Sequence, residues 1–173
     1  MNILKLELTH FGKFHLKTIT FTSGLNIVYG KNEAGKSTIH AFVRSMLFGI
    51  PDTEEGNERY SHYLPWETPH DFCGRMWIKK DDKVYRIERN FLRPQPTVRV
   101  FDDETGESLQ PAKQHLRQIL SGLTETSYLN TICIEQLKSA TDPQLAKELE
   151  DMAVNASQSK NLNIDVKQAK QEL

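Results

Sequence analysis

Cysteine is scarce in this sequence: Cys73 and Cys133 are the only two among 173 residues. They lie far apart and form no CxxC pair, which argues against a zinc ribbon or a disulfide framework and points to a reducing compartment. Long apolar runs are absent as well. No stretch is long enough to cross a bilayer as a helix. The opening residues Met1-Asn2-Ile3-Leu4-Lys5-Leu6-Glu7-Leu8 alternate like a strand rather than a secretory leader. A cytoplasmic protein with no membrane partner is expected. Nor does one sign of charge dominate: 22 Lys and Arg stand against 23 Asp and Glu, a formal net charge of −1. Proteins that bind nucleic acid over their whole surface are usually basic, so any such contact must be local. The hydrophobic share of 38 % and the charged share of 26 % fit a globular domain of ordinary size.

One region is locally basic. Residues 71–100 carry Arg75, Lys79, Lys80, Lys83, Arg86, Arg89, Arg93 and Arg99 against Asp71, Asp81, Asp82 and Glu88. Two readings stand: the solvated face of a β-meander, or a DNA contact.

The remaining pattern is mixed α/β. Leu4, Leu6 and Leu8 alternate, as do Phe14 and Leu16, so two strands are expected to join at Phe11-Gly12-Lys13. Leu25-Asn26-Ile27-Val28-Tyr29 is a short apolar run bounded by glycines, expected to be a buried strand. Ile39, Phe42, Val43, Met46 and Leu47 share one helical face, ended by Gly49 and Pro51. Residues 51–71 show no period and read as a long loop. Strands return at Met76 and Ile78, at Val84 to Ile87, and at Val98 and Val100, with turns at Asp81-Asp82 and Thr105-Gly106. Pro111 opens a helix bearing Leu116, Ile119 and Leu120. Ile132-Cys133-Ile134 reads as a strand, and Asp142-Pro143 as the start of a helix carrying Leu145, Leu149 and Met152. Leu162, Val166, Ala169 and Leu173 have heptad spacing, over too short a stretch to separate a coiled coil from a terminal amphipathic helix.

Between the apolar run and the first helix lies Gly30-Lys31-Asn32-Glu33-Ala34-Gly35-Lys36-Ser37, a complete match to G-x-x-x-x-G-K-[ST]. Gly30 and Gly35 permit torsions that a side chain would obstruct. The loop through Asn32, Glu33 and Ala34 can then turn its N–H groups toward phosphates at a helix N-terminus. Lys36 brings charge to the β- and γ-phosphates, Ser37 a hydroxyl to Mg²⁺, and Thr38 a bond to the α-phosphate. The ligand read from these residues is ATP with Mg²⁺. Hydrolysis also needs a metal-holding acid ending an apolar strand. Val98-Arg99-Val100-Phe101-Asp102-Asp103 is a lookalike, but Arg99 interrupts it and Asp102-Asp103 reads as a turn. Leu120-Ser121-Gly122-Leu123 imitates an ABC signature and reads as a glycine-ended helix.

These residues, with His10-Phe11-Gly12-Lys13-Phe14 and Ile132-Cys133-Ile134-Glu135-Gln136, give a chain that resembles the N-terminal lobe of an SMC-like ABC-type ATPase head. It is most similar to SbcC-type DNA double-strand-break repair ATPases and YhaN-type bacterial relatives. The resemblance implies a P-loop NTPase fold with an antiparallel β-meander, over residues 1–155, and the start of a coiled coil over 156–173. It implies that Gln136 contacts Mg²⁺ and the attacking water, so that Lys36 and Gln136 act in catalysis and Ser37 and Gln136 hold the metal. Lys13 takes a place where relatives often carry an arginine near the nucleotide. The partners implied are a C-terminal lobe of the same protein, a second head joined by ATP, a calcineurin-like (SbcD-type) nuclease, and DNA. Such a lobe is expected to hydrolyse ATP weakly or not at all by itself. Two alternatives remain from the residues alone. One is a self-contained P-loop kinase using Arg86 to Arg93 as a lid. The other is a non-catalytic interaction module presenting Tyr60, His62, Tyr63 and Trp66.

Overall fold

Alternation along Asn2–Phe11 sends Leu6 and Leu8 to one face and Lys5 and Glu7 to the other. In the computed structural model, which describes residues 1–133, this segment is strand β1. It turns at Gly12-Lys13 into β2 (Phe14–Thr20). Four more strands follow: β3 (Cys73–Lys80), β4 (Lys83–Asn90), β5 (Thr97–Asp102) and β6 (Ser108–Leu109). They form one sheet in the order β2-β1-β3-β4-β5-β6, with every neighbouring pair antiparallel. The chain divides into two compact units, Met1–Gly122 and a second beginning at Leu123. The first contains the whole sheet.

The inner face of the sheet is apolar. Leu6, Leu8, Met76, Ile78, Ile87 and Val100 are all fully buried. Helix α1 (Lys36–Phe48) packs across β1, β3 and β4 on this face. Phe42, Met46 and Leu47 of the expected helical face are buried, whereas Ile39 and Val43 are half-buried and Ala41, Arg44 and Ser45 join the core instead. The helix seats over Gly74. A Cβ there would lie 2.4 Å from the Phe42 ring, so no larger residue lets helix and sheet approach this closely. Around Phe42 gathers an aromatic cluster. Phe11 meets Phe42 edge-on at 5.1 Å, stacks with Tyr63 at 5.3 Å, and touches Phe72 and Phe91.

Three expectations need correction. Residues 51–71 are not all loop: Glu54–Tyr63 is helix α2. Its sequence has no apolar period, and its ends and a few anchors hold it. The Thr53 hydroxyl accepts from the Gly56 amide, Glu54 and Glu55 sit at the positive end, and Tyr60 and Tyr63 pack on Phe72 and Phe11. Leu25–Tyr29 is not a buried strand. Leu25, Ile27 and Tyr29 are 87 %, 75 % and 91 % exposed. The composition favours a strand, but burial needs neighbours, and among the described residues no strand pairs with it. Ile132 is not in a strand either; it caps the C-terminus of helix α4 (Glu125–Thr131), whose N-terminus is capped by Thr124. The expected helix after Pro111 is α3 (Ala112–Ile119), which packs on β5 and β6.

Ile134, Gln136, the helix expected after Asp142 and the heptads from Leu162 to Leu173 lie outside the described residues. Among the described residues, no helix is long and apolar enough to cross a membrane.

Because Phe42 joins α1 to Gly74 and to Phe11, Phe42→Ala is expected to lower stability by about 3–5 kcal/mol. The check is a urea titration of the 173-residue chain, in which the midpoint should fall with little change in slope.

Candidate phosphate-binding site

The loop Gly30–Gly35 leads into α1 through two residues in left-handed conformations, Glu33 at φ 63° and Gly35 at φ 100°. Gly35 is the N-cap of α1. It offers no side-chain hydrogen bond, and the first turn carries no acidic residue. Helices α2 and α4 differ, with threonine hydroxyls as caps and acids in their first turns, whereas α3 also lacks a side-chain cap and an acid but follows Pro111 rather than a glycine-rich turn. The N-terminal amides of a helix have no partner within it, and here no side chain of the cap supplies one. Partial positive charge therefore gathers at Lys36, Ser37 and Thr38, as an anion site requires.

Lysines sit on this loop. The Lys36 ammonium donates to the carbonyls of Gly30 at 2.7 Å and Lys31 at 2.9 Å, so its charge is folded back over the turn. The Ala34 amide donates to the Lys31 carbonyl at 3.1 Å, which tightens the same turn. Asn32 and Ser37 are exposed and Thr38 is half-buried. Lys13, from the β1–β2 turn, donates to the Glu33 carbonyl. It thus reaches the loop, and there it supports the residue held at positive φ. The structure brings Lys13 and the stretch Gly30 to Thr38 together; Gln136 lies outside the described residues.

Phe14 completes the arrangement. Its ring lies where a Gly35 Cβ would point, at 2.4 Å, so Gly35 is required twice, by its torsion and by its neighbour. No sequence motif marks Phe14 for this role; its place next to the Gly12-Lys13 turn was the available signal.

The other singled-out residues have structural partners. Asp102 accepts from the Glu104 and Thr105 amides in a turn, and Asp103 accepts from Trp77 and pairs with Arg86. Gly122, at φ 76°, closes the end of α3. Much of the basic segment is engaged in a network. Arg75, Arg86 and Arg99 converge on the Glu88 carboxylate at 3.3, 3.2 and 3.2 Å. Lys80 caps α3 through the Gln118 carbonyl and the Ser121 hydroxyl. Arg89 donates to the Met46 carbonyl at 2.8 Å and the Leu47 carbonyl at 3.2 Å, at the far end of α1. Burial pushes its pKa down to about 10, so it keeps its charge at neutral pH. A cleft of about 200 Å³ on the sheet includes Arg75, Glu88 and Arg99 and none of the loop residues.

The glycine-rich turn, the helix N-terminus after it and the lysine folded over it form the kind of arrangement that an anion site requires. The family model described as an AAA domain matches residues 1–154, and the chain belongs to that family. Among curated proteins it is similar to the uncharacterized protein YhaN of Bacillus subtilis (strain 168), with 43 % identity over 56 residues, 32 % of this chain and 6 % of that protein. It is also similar to the DNA double-strand break repair Rad50 ATPase of Thermococcus kodakarensis (strain ATCC BAA-918 / JCM 12380 / KOD1). There the identity is 26 % over 146 residues, 79 % of this chain and 15 % of that protein. The chain thus spans a small part of either relative. These matches agree with the resemblance to the N-terminal region of an SMC-like ABC-type ATPase.

Gly35→Ala should cost roughly 1–3 kcal/mol of stability, from the torsion and from displacement of Phe14. The double variant Gly35→Ala/Phe14→Ala should recover part of that loss relative to the sum of the singles, because only the steric component is relieved. A double-mutant cycle of denaturant midpoints measures it.

Proposed function

We propose that this chain is the ATP-binding part of an SMC-like ATPase head, which hydrolyses ATP in combination with a second lobe of the same protein. The observation that carries the reading is the Lys36 ammonium folded over the glycine-rich turn at the N-terminus of α1. The residues suit a Mg²⁺-nucleotide: Ser37 exposes a hydroxyl oxygen at the first helical turn, a ligand type that a hard cation prefers. Bound Mg²⁺ would neutralise phosphate charge. The chain's own part is to hold and orient. Amides of the loop and first turn grip phosphate oxygens, Lys36 exchanges its carbonyl partners for phosphate, and Thr38 fixes the α-phosphate. Lys13 keeps Glu33 in place. Gln136 is proposed to orient the attacking water.

A second lobe is supported by the exposed apolar run Leu25–Tyr29, which enters the loop directly. A strand from that lobe would bury it and fix the loop from the side opposite α1. By analogy with the Rad50 ATPase, ATP would then join two heads, and the assembly would act at DNA ends with a calcineurin-like nuclease, with Mg²⁺ as cofactor. A cytoplasmic location and a coiled coil beyond residue 155 belong to the same reading. No observation favours the alternatives. A kinase lid from Arg86 to Arg93 conflicts with the use of Arg86 and Arg89 in internal contacts. Of the proposed aromatic binding surface, Tyr60 and Tyr63 pack inward and His62 lies edge-on to Tyr63, which leaves Trp66, at 92 % exposed, with no ring stacked on it among the described residues.

Lys36→Ala should weaken ATP binding by at least about tenfold, the effect of losing roughly 1.4 kcal/mol of charge-assisted contact. Isothermal titration with ATP and Mg²⁺ measures it; unchanged affinity would overturn the site. ATP turnover by the 173 residues alone should be weak and should rise when the C-terminal lobe is added. Vigorous turnover by the chain alone would remove the need for a second lobe.

A further inference from the structure

Helix α1 is tied down at its C-terminal end. Its last carbonyls and the chain leaving it meet three arginines from other parts of the fold. Arg89, on β4, donates to Met46 and Leu47. Arg59, on α2, reaches the Gly49 carbonyl at 3.5 Å. Arg93 follows β4, stacks over the Tyr60 ring at 4.5 Å, and donates to the Pro51 carbonyl at 3.2 Å. A cation at a helix C-terminus satisfies carbonyls that have no amide partner and complements the helix dipole. Arg89 holds its two carbonyls with separate nitrogens of one planar group, which fixes direction as well as distance. It therefore ties the far end of the helix to the middle of the sheet.

A rigid helix transmits such a constraint along its length. Phe42, over Gly74, acts as the midpoint contact, and the Met46–Leu47 end is the second fixed point. With both held, the tilt of α1 is set, and with it the positions of the Lys36, Ser37 and Thr38 amides. We infer that Arg89 is a positioning residue for the phosphate loop, acting through α1 from the opposite end of the helix. This rests on the nucleotide-binding reading above and adds to it a remote determinant of affinity.

The fold supplies its own control. Lys80 caps α3 by the same chemistry, a cation on last-turn carbonyls, but α3 carries no phosphate loop. Arg89→Met and Lys80→Met should both lower the melting temperature. Only Arg89→Met should weaken ATP and ADP binding, by about fivefold to 150-fold, the range of coupling between distant sites. Arg89→Lys, which keeps the charge but not the planar fork, should restore part of the affinity. It also serves if Arg89→Met fails to fold. In nucleotide-free protein, Arg89→Met should speed hydrogen exchange at the Ile39 amide, which donates to the Gly35 carbonyl at 3.0 Å, and Lys80→Met should not.

The two readings fail separately. If the wild-type chain binds no nucleotide, the functional reading falls, and the exchange data still test the mechanical link. If the wild type binds ATP while Arg89→Met binds within about twofold of it, well below the coupling range, the positioning role is overturned. It is overturned equally if Lys80→Met loses as much affinity per degree of melting temperature.

Discussion

An α-helix leaves amides unpaired at one end and carbonyls at the other, and α1 treats the two ends in opposite ways. Its carbonyl end is satisfied within the fold by Arg89, with Arg59 on the carbonyl just beyond. Its amide end receives no side-chain cap at all. Helices α2 and α4 follow the ordinary course, with threonine caps. Helix α3 shares this asymmetry, with no side-chain cap at Pro111 and Lys80 on its last turn; what sets α1 apart is the glycine-rich turn before it and the Lys36 ammonium folded over that turn. Helix α1 is anchored at the far end and by Phe42 over Gly74, while the near end has no side-chain cap.

The sheet divides its two faces between comparable tasks. The inner face is almost wholly aliphatic and carries the helix. On the outer face, cross-strand neighbours alternate in charge: Glu7 opposite Arg75, Arg75 opposite Glu88, Glu88 opposite Arg99. One register step along, Lys5, Trp77, Arg86 and Phe101 form a row of cations and rings, with Lys5 over Trp77 at 4.2 Å and Arg86 over Phe101 at 4.6 Å. Each exposed pair contributes little by itself. Together they engage the basic side chains of the meander with one another's partners across the strands.

What could be read from residues alone followed the range of the interactions involved. Gly30 to Ser37 was legible because its requirements are local: torsions at Gly35, a lysine next to it, a helix after it. The meander from Met76 to Val100 was legible because its alternation has a period of two. Helix α2 was not, since Glu54–Tyr63 has no apolar stripe and depends on the Thr53 cap and two tyrosines. The composition of Leu25–Tyr29 reports strand preference, whereas burial is decided by partners elsewhere, and so its exposure could not be anticipated. The roles of Phe14 and Arg89 were out of reach for the same reason. Phe14 matters through Gly35, and Arg89 through carbonyls more than forty residues earlier in the chain.

The open segment Leu25–Tyr29 also bears on the life of the polypeptide before any nucleotide arrives. Leu-Asn-Ile-Val-Tyr has no charge and no proline, and its backbone is unpaired in the sheet described. Such a segment can join a neighbouring molecule edge to edge. Until something covers it, concentration works against the protein, and every encounter between two copies competes with correct assembly. The residues that lead to the glycine-rich turn therefore carry an aggregation hazard, one that follows from their exposure and not from any weakness of the sheet.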